Sequence, residues 1–433
     1  MQKFIRSIIA MLCTLFFATG LISCSMGTTV LAEAATPESL SSEEWISDNL
    51  LAIKQSANDF ASQLASALYK NYSGSDNFVA APISAYMALA VAAECASGTT
   101  RDEILSALGI TYDQLSSDVS LLYRLLEATY ETDGKITGML DLTNSIWIDK
   151  SYNVNKQTIT SLAEKYFCYS RATDFNNTSS ANRAIKSFVK DKTHDLIDLN
   201  FNLPSDTVFA IVNTLYLKDM WNYLAKDLSF TDDKYTFKSI GGEKETKLLQ
   251  GSYIAGRAYE TDTFTHYYVQ THRGYKIKFI LPKEGYSVKD VFTAQSIAEI
   301  NALTDYNAND DENRISYYTR CLFPEFTASY SVDIKSALQS TFDINTLFDT
   351  NACDFTSLTD NAAFCNAVPH AAQLKVSKKG IEGASVIIFP GPGAPGPGPY
   401  EEVYVDFVVD GSFGFIITDR YDTVLFSGVV ENI

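Results

Sequence analysis

Asn77 to Gly109 reads NFVAAPISAYMALAVAAECASGTTRDEILSALG, and the order of its signals sets the reading of the chain around it. Asn77-Phe78-Val79-Ala80 is a short strand. Pro82 and an alanine-rich run then predict a long helix, closed near Gly98. Thr99-Thr100-Arg101-Asp102-Glu103 opens a second helix with capping-box spacing. Towards the N-terminus, Phe60, Leu64 and Leu68 recur every four residues, one face of a helix. Towards the C-terminus the signals change to strand. Lys276-Ile277-Lys278-Phe279 alternates after a turn at His272-Arg273-Gly274. Phe413 to Ile417 and Val424 to Phe426 flank the polar turn Thr418 to Thr423. Both are apolar on each face, so they predict a hairpin buried on both sides. Helices first and large sheets later make the class α+β rather than alternating βαβ.

Composition narrows the function. The 433 residues are 46% hydrophobic and 20% charged, with a net charge of -18. Such acidity leaves no basic surface to neutralise phosphates, which argues against nucleic acid as a partner. Lys3 and Arg6 precede an uncharged apolar stretch, Ile8 to Thr19, the pattern of an export signal. Leu21-Ile22-Ser23-Cys24, directly behind it, has the form of a bacterial lipoprotein box with Cys24 as the lipidated residue. Ala32-Glu33-Ala34 offers the alternative of ordinary cleavage and free secretion. The favoured division is therefore a lipoprotein-type signal over residues 1–23, a flexible spacer over 24–42, and one domain over 43–433. Membrane contact is expected through the lipid alone, with the protein at a bacterial cell surface and monomeric. The five cysteines beyond Cys24 are scattered without a CxxC pair, so neither a disulfide framework nor zinc is expected, although Cys353 and Cys365 form a pair that could oxidise.

No HExxH helix, GxSxG elbow or Walker loop is present, and the four histidines are dispersed. No catalysis, metal or cofactor is expected. Gly391 to Pro399, GPGAPGPGP, is alien to the rest. Proline lacks the N–H that a ladder needs and glycine costs entropy, so this run must be an exposed loop. Its place between two ordered elements favours a functional loop over an inert linker.

Five segments together resemble the serpin family over Ala57 to Ile433. They are Asn77 to Gly109, TVFAIVNTLYLKDMW at Thr207 to Trp221, PKEG after Phe279-Ile280-Leu281, PEF at Pro324 to Phe326, and LFSGVVENI at Leu425 to Ile433. The resemblance implies the serpin fold, with about eight or nine helices, three β-sheets and an exposed reactive-centre loop, here about 378–403. It also implies a suicide-substrate inhibitor, whose partner is a serine protease trapped as a covalent acyl-enzyme. The alternative is a non-inhibitory member that is cut as a substrate or binds a partner.

Residue by residue, the resemblance assigns Ser84, Asn213 and His370 to the shutter where the main sheet parts, and Trp221 to the breach above it. Ala81 stands where the family often has Ser. The hinge falls on Lys378, Lys379, Gly380, Ile381, Glu382, Gly383, Ala384 and Ser385. The two lysines reverse the family's acidic pair, and Ile381 replaces its Thr or Ser. With period two, Ile381, Gly383, Ser385, Ile387 and Phe389 share one face of an inserting strand. Pro390 and Pro392 cannot join a central ladder, so insertion should stall near Phe389. Counting from the hinge puts the bait bond at Gly393–Ala394, since most serine proteases will not cut the following Ala394–Pro395 bond. Such small residues suit an elastase-like or subtilisin-like enzyme. Counting back from Phe413 gives Tyr400–Glu401, a chymotrypsin-like bond.

Overall fold

A computed structural model describes residues 27–132, 135–198, 202–221, 228–303, 306, 308–310, 313–365, 368–381 and 400–433. The largest sheet has eight strands. Its path runs Thr29–Ala32, Cys168–Thr173, Lys135–Asp149, Phe209–Met220, Gly380–Ile381, Pro369–Ser377 and Phe326–Asp333, with Ala128–Thr132 folded back on Lys135–Asp149. All neighbours are antiparallel except Cys168–Thr173 beside Lys135–Asp149. Phe209–Met220 holds Lys135–Asp149 in register from Gly138↔Asp219 to Ile148↔Phe209.

The second sheet orders Tyr259–Glu260, Phe264–Gln270, Lys276–Pro282, Phe413–Thr418, Val424–Val430 and Phe78–Ala80. The expected hairpin lies inside it, every residue of both strands buried. Gly428 is essential to that packing: a Cβ there would lie 2.3 Å from the Phe78 carbonyl oxygen. The third sheet orders Asn309–Asp310, Ile315–Phe323 and Glu401–Val408, with Leu249–Ala255 on the far side of Ile315–Phe323. Among the described residues there are eight helices of eight residues or more, and two single turns, Ser42–Trp45 and Val288–Val291.

The helical readings transfer directly. Phe60, Leu64 and Leu68 are buried along the inner face of the Asp48–Lys70 helix. Pro82 sits in the first turn of the Pro82–Cys95 helix, where its missing N–H costs no bond. The next helix starts at Gly98 rather than at Thr99, and it lacks the expected capping box. The Ser97 hydroxyl at its N-terminus lies 2.8 Å from Ser357 Oγ instead of capping. Lys278 breaks the alternation read in its strand: it is fully buried, its ammonium 2.9 Å from Asp422.

The flexible spacer expected over residues 24–42 needs correcting from Thr29 onward. Thr29–Ala32 adds an antiparallel strand to the edge at Cys168–Thr173. Arg171 donates to the Ala32 carbonyl at 3.0 Å and pairs with Glu33 at 2.8 Å. Ala35 N–H donates to Ala163 O at 3.0 Å, and Arg124 donates to the carbonyls of Glu38 and Ser39 and pairs with Glu44. A sheet edge presents unpaired backbone groups, and a β-prone stretch such as Thr-Val-Leu satisfies them. The signal region and Cys24 lie outside the described residues.

Candidate functional site

The site lies where the main sheet takes in the first residues of the connecting segment. Pro369–Ser377 ends in a tight turn at Lys378-Lys379, and the chain returns as Gly380–Ile381. Gly380 has φ 151°, a conformation glycine adopts without the penalty a side chain brings. The returning pair ladders on both sides. Ile381 faces Val376 on one strand and Asp219 on the other, and Gly380 faces Ser377 and Met220. Among the described residues no ladder joins Phe209–Met220 directly to Pro369–Ser377; Gly380–Ile381 bridges them.

Ile381 is completely buried. The replacement of a small polar residue by isoleucine therefore fits the slot and adds apolar burial worth about 1.5–3 kcal/mol. Lys378 and Lys379 are exposed at the turn, so their reversed charge stays in water. Backbone bonds fix the turn: Lys378 N–H donates to Glu325 Oε1 at 2.6 Å, and its carbonyl accepts from Leu228 N–H at 2.7 Å.

Trp221 closes the top of the seam. It is fully buried, its Nε1–H donates to the Ser377 carbonyl at 2.5 Å, and its ring centroid is 5.4 Å from that of Phe323. Asp219, which sequence reasoning passed over, lies beside it. Its Oδ2 accepts from Arg273 N–H at 3.0 Å, and burial pushes its carboxyl up to about 7. Its only signal in the sequence was a carboxylate two residues before Trp221, within the Phe209–Met220 strand.

Lower down, His370 is buried and its Nε2 accepts from Ala81 N–H at 3.2 Å, which requires the neutral ring. Burial holds its imidazole down at about 4. The backbone of Ala81 thus supplies a bond although the residue has no hydroxyl. Asn213 donates to Asn144 Oδ1 at 2.7 Å, and Asn144 in turn donates to the Tyr166 carbonyl at 2.8 Å. Ser84 is buried in the first turn of its helix. Among the described residues no hydrogen bond joins Ser84, Asn213 and His370 to one another. These bonds form two separate couples, one on each side of the seam, and Asn144 is a partner of Asn213 that sequence reasoning missed.

Glu382, Gly383, Ala384, Ser385, Gly393, Ala394 and Pro395 lie outside the described residues. Tyr400–Glu401 can be placed. Glu401 opens a strand, and its N–H donates to Arg314 O at 2.9 Å. This candidate bond therefore lies at the start of a ladder. The expected loop limits of 378 and 403 also contract, since Gly380–Ile381 and Glu401–Val403 are strand. The five described cysteines carry free thiols, Cys353 and Cys365 included.

The main sheet of this mixed fold thus takes in the first two residues of the connecting segment at its centre, beneath a buried tryptophan. The sequence model of the family described as Serpin (serine protease inhibitor) matches residues 55–433, and the chain belongs to the serpin family. It is 27% identical to Iripin-2 of Ixodes ricinus over 371 residues, covering 82% of this chain and 88% of that one. It is 25% identical over 328 residues to human corticosteroid-binding globulin, covering 74% and 78%. The thermophilic serpin tengpin in its native state superposes with a TM-score of 0.73 at 19% identity, over 94% of this chain and 100% of that one. The family contains protease inhibitors and also members, such as corticosteroid-binding globulin, named for the small molecule they bind.

Proposed function

We propose that this serpin is an inhibitor that traps a serine endopeptidase as a covalent acyl-enzyme. The protease serine attacks the bait carbonyl, the peptide C–N bond breaks, and the new amine leaves with a proton from the protease histidine. The loop then zips into the main sheet before water reaches the ester. Dragging distorts the enzyme, and deacylation, which needs placement to about an ångström, stops.

The observation that carries the reading is the two-sided ladder at Gly380–Ile381. Continued in the same register, Ile387 comes level with both Asn213 and His370, and Ile388 with Val212 and Pro369. Pro369 is the first residue of its strand, so the two-sided slot ends at Ile388. Phe389 and Pro390 then fall just past it, and the prolines interrupt no ladder position that the slot offers. Seven residues from Glu382 to Ile388 lay down about 23 Å of new strand at roughly 3.3 Å each. The bait bond is Gly393–Ala394, suited to an elastase-like or subtilisin-like enzyme.

Lipidation at Cys24 places the inhibitor on a bacterial surface. Thr29 is level with Ala172, and through Ile148 with Phe209, at the end of the sheet opposite the hinge. A lipid at Cys24 would thus join the described fold at the pole opposite Gly380–Ile381.

A second reading, a serpin that is only cleaved, has its support in the bulky run Val386 to Phe389 and the proline-rich segment. Incubation with elastase-, subtilisin- and chymotrypsin-type proteases followed by denaturing gels separates the two. A band at the summed mass supports trapping, and sequencing the released C-terminal peptide locates the bait. Clean cleavage without that band by every protease refutes it.

A further inference from the structure

Below the slot, the chain between the short 3₁₀ turn Thr346–Phe348 and the strand Pro369–Ser377 brings two cysteines together. The Leu347 carbonyl serves both. Cys353 Sγ–H donates to it at 3.4 Å, and Cys365 N–H donates to it at 3.1 Å. The Cys365 N–H also bonds to the Cys353 sulfur. One carbonyl and one amide thus hold the two residues side by side, each half-buried. The other three described thiols differ: Cys95, Cys168 and Cys321 are sealed in the core, where burial pushes each thiol up.

The two arms of this loop are held unequally. The first is pinned to the helices around it. Ser97 N–H donates to Asp354 O at 2.9 Å, Asp354 N–H donates to the Thr100 hydroxyl at 3.0 Å, and Asn155 N–H donates to Leu358 O at 2.8 Å. Phe355 lies against Phe209, their ring centroids 4.6 Å apart, at the end of the Phe209–Met220 strand remote from the hinge. The return arm exposes Asp360, Asn361 and Ala362, and Cys365 draws it back four positions before Pro369 opens the other wall of the slot. The thiols therefore join the arm packed on the foot of one wall to the arm that leads into the other.

We propose that Cys353 and Cys365 are a redox site that closes into a disulfide, with a small-molecule disulfide such as oxidised glutathione as the oxidant. One cysteine thiolate attacks a sulfur of the small disulfide, whose S–S bond breaks and releases one small thiol. The second thiolate attacks the protein sulfur of the mixed disulfide and releases the other. Two protein thiols are oxidised, one disulfide is reduced to two thiols, and the cysteine protons end on those thiols. The new bond closes a loop of 13 residues, Cys353 to Cys365, and fastens the exposed arm to the pinned one. Such closure restricts the unfolded chain and so stabilises the folded one.

The test equilibrates the full chain with mixtures of oxidised and reduced glutathione, blocks thiols with iodoacetamide and reads digests by mass spectrometry. The expected product is a peptide pair joined through Cys353 and Cys365, lighter by two hydrogens and parted again by dithiothreitol. Cys95, Cys168 and Cys321 should remain thiols. The linked protein should melt about 3–6 °C above the reduced one, and the double variant Cys353→Ser/Cys365→Ser should melt alike in both mixtures. Both cysteines alkylated in the most oxidising mixture, a lasting mixed disulfide at either, or bonds to other cysteines would overturn the site. A linked pair that melts with the reduced protein overturns the fastening of the loop. Both readouts hold for wild type alone, so the site remains testable even where the serine variant fails to fold.

Discussion

Replacing Ile381 by Glu puts a carboxylate into the slot directly beside the buried Asp219. The loss of isoleucine burial costs about 1.5–3 kcal/mol. Desolvating the new carboxylate adds several more, and the like charge opposite it compounds the penalty. Ile381 already occupies the slot in the uncut protein, so this penalty expels Gly380–Ile381 from it, and zipping must then begin by re-inserting them; about 3 kcal/mol on that step slows insertion more than a hundredfold, at 1.36 kcal/mol per factor of ten. Hydrolysis of the acyl-enzyme then wins the race. The stoichiometry of inhibition, measured by titrating residual protease activity, should rise by at least tenfold for Ile381→Glu, with the covalent band replaced by cleaved inhibitor. Ile381→Val, which loses one methylene at about 0.5–1.5 kcal/mol, should remain an inhibitor. An unchanged stoichiometry for the Glu variant refutes the reasoning, because Ile381 would then have no part in the committing step.

Three further outcomes are expected. The folded-state pKa of Asp219, about 7, lies above its ordinary value, so stability is lost as pH rises from about 4 through 7; Asp219→Asn should remove that loss, gaining at most about 4 kcal/mol at pH 8 and little at pH 4 in urea unfolding. A chain beginning at Ser41 lacks the edge strand and its bonds to Ala163, Arg171 and Arg124, and at about 0.5–1.5 kcal/mol per hydrogen bond it should lose roughly 2–5 kcal/mol of stability in denaturant melts. Deleting Pro395 to Pro399 shortens the loop while keeping Gly393–Ala394, and should alter the stoichiometry of inhibition without changing the fold; an unchanged ratio counts against a role for the added length.

The fold was legible wherever the signal was local. Four-residue spacing gave the Asp48–Lys70 helix, and two-faced apolar runs gave the buried hairpin Phe413–Val430. Order and spacing of five motifs then pointed to one family. What stayed hidden depended on partners remote in sequence. Thr29–Ala32 read as spacer because its strand exists only against the edge at Cys168–Thr173. Lys278 read as solvent-facing because Asp422, its counter-charge, lies 144 positions away in a turn. The hinge showed the right period, but its entry into the sheet needed the positions of Met220 and Ser377. Asn144 escaped notice because its role is to hold Asn213 across a ladder.

The central claim is that the slot beneath Ile381 receives the loop once the bait is cut. The direct measurement is thermal unfolding of the domain before and after limited cleavage within residues 391–399. Insertion adds on the order of seven residues to two ladders, each hydrogen bond worth about 0.5–1.5 kcal/mol, so the cleaved protein should melt well above the intact one. A cleaved form that melts at the same temperature as the intact protein would contradict the account.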